Sequence, residues 1–310
     1  MKTGPFFSIV MPVHNAEVYV SDAIESVLAQ TQSDWELVAV DDFSGDGTPE
    51  ILAAYAAGDP RIRVLRNDQN LNIAPSLNRG IRSAHGAWIV RLDADDFFYS
   101  NYLEILRAYV EERRGDYFFS SWTTVVDESG EKILDVRLPK AETVRRMMKI
   151  ENFLYHPATS FPKRLWEKVG GYPEKDRTVA EDTALWNEFF GAGAKLVMIP
   201  QFLLNYRLHY SNITSQNDAK LFDGTETRAW KTIRQNREWK ISLYLKQKKL
   251  KMARTEILIL GRMQKGLSLK NIQYFLLTFL PKSFVHFFMW EFRPRARAFL
   301  KNLRGRSVRV

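Results

Sequence analysis

Residues 87–97 read AWIVRLDADDF, and the reading of this stretch decides the fold. Trp88, Ile89, Val90 and Leu92 form a short apolar run behind Gly86, the pattern of a strand buried on both faces. Three carboxylates, Asp93, Asp95 and Asp96, crowd its C-terminal end, where each raises the proton affinity of the next. Two readings fit. In an open α/β sheet, ligands sit just outside the carboxyl ends of the strands, so the cluster suits a divalent cation with hard oxygen ligands, Mg²⁺ or Mn²⁺. Alternatively, Asp95 or Asp96 caps a helix beginning near Ser100.

Upstream, strands and helices alternate. Phe6 to Val13 is apolar and ends in Pro12-Val13-His14-Asn15. Val20, Ile24, Val27 and Leu28 follow on one face of a helix, with Asn15 placed to start it. Glu36 to Asp42 is a second strand ending in paired acids, and Phe43 to Gly47 is a turn. Thr48 caps the next helix, with Pro49 at its first position and Gly58 at its end. Ile62 to Leu65 is a third strand, and a polar loop, Arg66 to Asn72, leads to a helix over Ala74 to Ala84. This alternation predicts a parallel sheet with helices on both faces, so His14, Asn15, Asp41, Asp42 and the Asp93–Asp96 cluster all meet on one edge.

Downstream the pattern changes. A helix is expected from Ser100 to about Arg113, then strands over Asp116–Val126 and Lys132–Val136 around the Asp127–Gly130 turn. A helix at about Ala141–Lys149 precedes His156-Pro157-Ala158-Thr159. Lys163 to Val169 is a short helix ended by Gly170-Gly171. Glu181-Asp182 opens another, Thr183 to Phe190, and Lys195–Ile199 and Phe202–Leu208 are strands.

The 310 residues include no cysteine, which excludes disulfides, thiolate nucleophiles and thiolate metal sites. The N-terminus, MKTGPFFSIVMPV, reads as a first strand and not as a signal peptide. Charge is unevenly spread: residues 231–310 carry 20 Lys and Arg against three acids, or +17, while residues 1–230 sum to −8. A mildly acidic body thus carries a strongly basic tail, suited to an anionic partner.

Several motifs together resemble one family. FSIVMPVHN (7–15), VDDFSGDGT (40–48), Asn78-Arg79-Gly80, LDADD (92–96), KRLWEKVGGYPE (163–174), Glu181-Asp182 and YRLHYSNIT (206–214) look like those of the inverting glycosyltransferases of family 2, in the right order over about two-thirds of the chain. Two departures stand out: His14, where many members have Tyr, and Asn72, in a loop where the family often has Gly and where Asn tolerates a left-handed backbone.

The resemblance implies a GT-A (Rossmann-like) α/β fold: a mostly parallel central sheet with flanking helices over residues 1–225, with 1–100 as the nucleotide-binding half and 101–225 as the acceptor half. It implies a nucleotide-sugar donor held by Pro12, His14, Asn15, Glu17, Asp42, Asn78, Arg79, Asp93, Asp96 and Arg207. Asp42, or else Asp41, would accept the imide N–H of a base such as uracil. Asp95 and His209 would ligate Mn²⁺ or Mg²⁺, neutralising the departing diphosphate. Asp182 would be the general base that deprotonates a saccharide hydroxyl for direct displacement; the alternative is that Glu181 and Asp182 simply favour the helix N-terminus electrostatically.

Residues 226–310 lie outside the resemblance and read as basic helices. Leu267–Leu280 and Ser283–Phe292 are apolar and aromatic but too short to span a bilayer. Aromatics beside Lys and Arg suit helices lying in an anionic membrane interface; the other reading is a helical cap on the body or on a partner. A membrane-facing tail suits a lipid-linked acceptor and a cytoplasmic enzyme at the inner face of the membrane. No nucleic-acid recognition motif accompanies the charge. The competing functions are a nucleotidyltransferase, for which no Gly-rich, Lys-bearing triphosphate loop is present, and a non-catalytic nucleotide-sugar or membrane-binding module.

Overall fold

The apolar runs of the N-terminal half become the central strands. In the computed structural model, which describes residues 4–148, 152, 154–174, 180–207 and 209, β1 (Phe7–Val13), β2 (Trp35–Asp41) and β4 (Trp88–Arg91) are buried almost throughout, with β3 (Ile62–Arg66) at the sheet edge. They run parallel in the order β3-β2-β1-β4. The connecting helices are α1 (Val20–Leu28), α2 (Thr48–Gly58) and α3 (Ile73–Ser83).

Side chains alternate between two apolar layers. Phe7, Ile9, Met11 and Val13 join Trp88, Val90 and Leu92 in the layer that holds Ile24 and Val27 of α1. Val10 and Ile89 join Leu77 and Ile81 of α3 in the other. By the same alternation Arg91 follows Ile89 onto the second face. Gly80 lets α3 lie directly on the sheet: a Cβ there would come 2.6 Å from Val10 Cγ1 and 3.0 Å from Val40 Cγ2.

The chain continues through β5 (Phe97–Phe98), α4 (Tyr102–Glu111), β6 (Tyr117–Val126), β7 (Lys132–Val136) and α5 (Ala141–Met147). After a single 3-10 turn, His156–Ala158, come β8 (Thr159–Pro162), α6 (Lys163–Val169), α7 (Glu181–Gly191) and β9 (Lys195–Arg207). The sheet extends beyond β4 as β8-β6-β9-β5, with β7 on β6. Strand β8 pairs antiparallel with both β4 and β6, whereas β6 and β9 run parallel.

The sheet is therefore mixed and not mostly parallel. Thr159–Pro162 is too short to show a period in the sequence, yet it joins the two halves. The two expected strands at the end of this body are one, β9, whose register shifts opposite Ser121 to Thr123. Pro200 and Gln201 make an irregularity there and do not end the strand.

Three capping expectations are corrected. Asn15 takes φ +50° and does not start α1, which begins at Val20 behind Tyr19. Thr48 is the first residue of α2, and Asp46 Oδ1 accepts its N–H at 3.1 Å. Helix α4 begins only at Tyr102, beyond the reach of Asp95 or Asp96. Asn72 takes a positive φ of +71° but with ψ −179°, an extended glycine-type backbone and not the left-handed helical conformation that Asn tolerates.

The chain divides into two compact units, Met1–Arg207 and Leu208–Val310. The expected basic helices lie outside the described residues. No helix among the described residues is long and apolar enough to cross a membrane.

At the edge where the parallel strands begin, a buried carboxylate ties three elements together. Glu36 Oε1 accepts from Ser8 Oγ (2.6 Å) and the His85 N–H, and Oε2 from Arg63 (3.0 Å). Burial alone would raise its pKa, but these bonds together outweigh that and hold it below the ordinary glutamate range. A depressed folded pKa stabilises above the unfolded value, about 4.3, and that contribution is lost as pH falls through the folded one. Glu36→Gln should cost about 2 kcal/mol in denaturant unfolding at pH 7, with the gap to wild type closing in acid. A gap independent of pH would show that the charge is not what matters.

Candidate functional site

The loops after β1, β2 and β4 converge at the opposite edge. Asp42 N bonds to Val13 O (2.7 Å), Asn67 N to Asp41 O (2.8 Å) and Leu92 N to Val10 O (3.3 Å), which sets the strand ends level. Of the paired acids, Asp41 turns inward: its Oδ1 accepts from Ser44 N and its Oδ2 faces Arg66 at 3.4 Å. Asp42 Oδ1 accepts from Asn67 Nδ2 (2.7 Å) and Leu71 N (2.8 Å), while Oδ2 carries no hydrogen bond among the described residues. Asn67, unremarked in the sequence, is held in turn by Ser76 and Arg79.

His14 is fixed at both ring nitrogens. A carbonyl only accepts, so the 2.8 Å contact to Asp42 O puts the proton on Nδ1. Nε2 then receives the amides of Asn15 (3.2 Å) and Asn70 (3.1 Å), whose own oxygens are claimed by Gly45 N and Asn72 N. Asn15 and Glu17 staple the first loop to the second: Glu17 Oε2 accepts from Gly47 N at 2.7 Å, and a Cβ on Gly47 would meet that oxygen at 2.9 Å. Pro12 stands in β1, in register with Val40.

The oxygens of Asp93, Asp95 and Asp96 lie within 4.8 Å of one another. Asp96 is fully buried; its Oδ1 accepts the Arg207 N–H at 2.7 Å, and its Oδ2 is buried with no hydrogen-bond partner. Burial, then the charges of Asp95 and Asp93, push its pKa well above the ordinary range. Asp93 is raised as well, by burial and then by Asp95 and Asp182 against the pull of Arg91. Three hard oxygens, one of them buried without a partner, form a donor set that could hold Mg²⁺ or Mn²⁺.

Arg91, which the sequence reading passed over, is a buried cation at this edge, 1% exposed, bonding to Leu92 O and Asp93 Oδ1. Its charge is felt by Glu181 and Asp182 in the first turn of α7. Asp182 Oδ2 accepts from Asn152 Nδ2 at 2.6 Å, and Oδ1 from Thr183. Burial raises Asp182 above the usual aspartate range, and the Thr183 and Asn152 bonds only partly offset it. Beside this pair, His156 Nε2 meets Tyr172 OH at 2.8 Å and Nδ1 lies 3.8 Å from Glu181; burial, aided by Arg91, holds the imidazole neutral.

Of the other named residues, Asn78, Arg207 and His209 are buried and Arg79 is exposed. Asn78 gives its amide to Tyr172 O and Glu174 Oε1 and accepts Tyr172 N, stapling α3 to the loop after α6. Arg79 reaches back to Arg66 O and Asn67. Arg207 is 3% exposed and bonds to Asp95 O, Glu128 O and Asp22 Oδ2. His209 belongs to the second unit. A cavity of about 560 Å³ at the far edge, lined by Phe6, Trp88, Arg107, Arg113, Arg114 and Arg164, holds none of these residues. Arg107, Arg113 and Arg164 there pair with neighbouring acids.

The sequence profile of Glycosyl transferase family 2 matches residues 8–170, from β1 to the end of α6. Two Bacillus subtilis relatives bear glycosyltransferase names. EpsE is 32% identical over 209 residues, 67% of this chain and 74% of that protein. TuaG, named for teichuronic acid biosynthesis, is 28% identical over 211 residues, 68% and 82%. Among solved structures, S. aureus TarS 1–349 in complex with UDP-GlcNAc superposes with TM-score 0.56 at 15% identity, covering 88% of this chain and 79% of that one. A longer TarS structure gives TM-score 0.55 at 17% identity, covering 83% of this chain but 42% of TarS. At such identity the structures speak for the fold, while the profile and EpsE carry the kinship, and the chain belongs to glycosyl transferase family 2, an enzyme of sugar transfer.

Proposed function

We propose that this glycosyltransferase moves a sugar from a nucleoside-diphosphate donor, UDP-linked, to a hydroxyl of a saccharide acceptor by direct displacement with inversion. The observation that carries the reading is the convergence on one sheet edge of the Asp93–Asp95–Asp96 oxygens and Asp182, close enough that Asp93 feels the charge of Asp182.

In this reading the nucleotide lies over His14 and Asp42, whose Oδ2 receives the base N–H, while Asn15, Glu17, Asn78 and Arg79 keep the surrounding loops in place. Asp182 takes the proton from the acceptor hydroxyl as it attacks the anomeric carbon, and the nucleoside diphosphate departs. Asp93, Asp95 and Asp96 would hold Mn²⁺ or Mg²⁺, which would supply positive charge to the departing diphosphate. Arg207 acts from behind, anchoring Asp95 and Asp96 through its side chain and backbone.

The names of TuaG and of TarS with UDP-GlcNAc support a UDP-sugar and a cell-surface polysaccharide. The +17 charge of residues 231–310 supports a lipid-linked acceptor met at the anionic inner face of the membrane, with residues 226–310 as the contact region and 1–225 as the catalytic part. Calorimetric titration with a panel of nucleotide sugars, with and without Mn²⁺, should find one donor whose binding needs the cation and is lost in Asp95→Ala. Binding that ignores both the cation and this substitution would refute the assignment of the acidic cluster.

A further inference from the structure

Phe43 is at odds with its own backbone. It takes φ +62°, where a bulky L-residue is strained and glycine is not. Its side chain is 51% exposed, so burial does not repay that strain; Val18 is the other exposed large hydrophobic among the described residues. The conformation is imposed from around it. His14 holds the carbonyl before it (2.8 Å), Asp41 holds Ser44 N (3.0 Å), and Arg66 holds Ser44 O (3.2 Å). Asn15 at φ +50° and Asn72 at φ +71°, the other positive-φ non-glycine residues described, lie on loops bonded to the same segment. Strain retained by a fully braced loop beside a ligand edge marks a residue kept for what it meets.

We propose that Phe43 is a specificity residue whose ring covers one face of the donor's nucleobase while the edge of the base meets Asp42. The inference rests on the donor reading above. A nucleobase has an apolar face and a polar edge. Asp42 Oδ2 is an acceptor only, so it selects bases that present a ring N–H, as uracil, thymine and guanine do. It offers nothing to the face. An aromatic ring held out before the ligand arrives supplies that contact with little ordering cost. The braced backbone fixes where the ring starts, and two side-chain torsions remain to adjust it.

The test uses the full chain with UDP, dTDP and GDP in the presence of Mn²⁺, comparing wild type with Phe43→Gly, Phe43→Leu and Phe43→Tyr. Glycine and leucine should each weaken the bound nucleotide about tenfold, the scale of one stacked base, while tyrosine retains affinity. The thermal midpoint of Phe43→Gly should not fall, because the substitution relieves the backbone. Unchanged affinity in Phe43→Gly, or a loss that accompanies a fallen midpoint, overturns the proposal and leaves the donor reading standing. A folded wild-type chain that binds none of the three overturns both.

Discussion

Asp182→Asn is expected to lower the turnover number for sugar transfer by about 10²- to 10⁴-fold, the contribution of a positioned general base, and to leave donor affinity nearly unchanged. The amide is the same size as the carboxylate and still offers an oxygen to Thr183 or, with rearrangement, to Asn152. It cannot take a proton from the acceptor. Stability should move the other way. Burial raises the folded pKa of Asp182, and a carboxyl whose folded pKa lies above its unfolded one stabilises the fold below that pH range and loses the contribution as pH rises through it. At pH 7 the ionised group is therefore a burden, and the Asn variant should melt no lower than wild type. The same shift sets the acid limb of the wild-type rate profile, since the base works ionised: turnover should decline as pH falls through a value above the ordinary aspartate range. Full turnover in Asp182→Asn would remove it from the chemistry; lost turnover with a lowered melting point would point to a helix-supporting acid instead.

What was legible in the sequence was what local pattern encodes. The apolar run before Asp93 could only be a buried strand, and parallel strands between helices bring their carboxyl ends to one edge. That reasoning put Asp42, His14 and the acidic cluster together before any coordinates. Asp41 and Asp42 are told apart only by the fold: both are buried, but Asp41 is turned inward toward Ser44 and Arg66, its Oδ2 closed off from solvent, while Asp42 bonds the loop after β3 through Oδ1 and its Oδ2 carries no hydrogen bond among the described residues. Asn78 and Arg207 show the limit more sharply. Each sits in a motif that suggests ligand contact, yet their hydrogen bonds run to Tyr172 and to Asp22, distant in the chain and matched to no local period. Strand β8 was invisible for a related reason: four residues ending in proline carry no periodicity, and their place between β4 and β6 is purely tertiary. Nothing but its odd setting, a lone arginine inside an apolar run, marked Arg91.

That arginine should be the residue the fold least tolerates losing. Arg91→Met is expected to destabilise by about 3–5 kcal/mol, the cost of breaking a buried ion pair from one side, out of a total of about 5–15 kcal/mol for an ordinary domain. The reason lies in what β4 must do. Its alternation sends Trp88, Val90 and Leu92 into one apolar layer and Ile89 and Arg91 toward the other, and the next residue on that side is Asp93. The guanidinium bonds Asp93 and the Leu92 carbonyl, and its charge lowers the pKa values of Asp96, Glu181 and Asp182, all of which burial raises. Methionine fills much of the same volume but removes the cation that bonds Asp93 and lowers the pKa values of Glu181 and Asp182. Arg91→Lys should recover part of the loss and not all, because an ammonium supplies charge without the planar fork that holds a carboxylate and a carbonyl together. Chemical denaturation at pH 7 and again in acid separates the causes. As Glu181 and Asp182 take up protons, the gap between wild type and Arg91→Met should narrow if lost charge is responsible and persist if lost packing is. A methionine variant within about 1 kcal/mol of wild type at pH 7 would mean that the acids of this edge balance one another without Arg91, and the electrostatic account of β4 would fail.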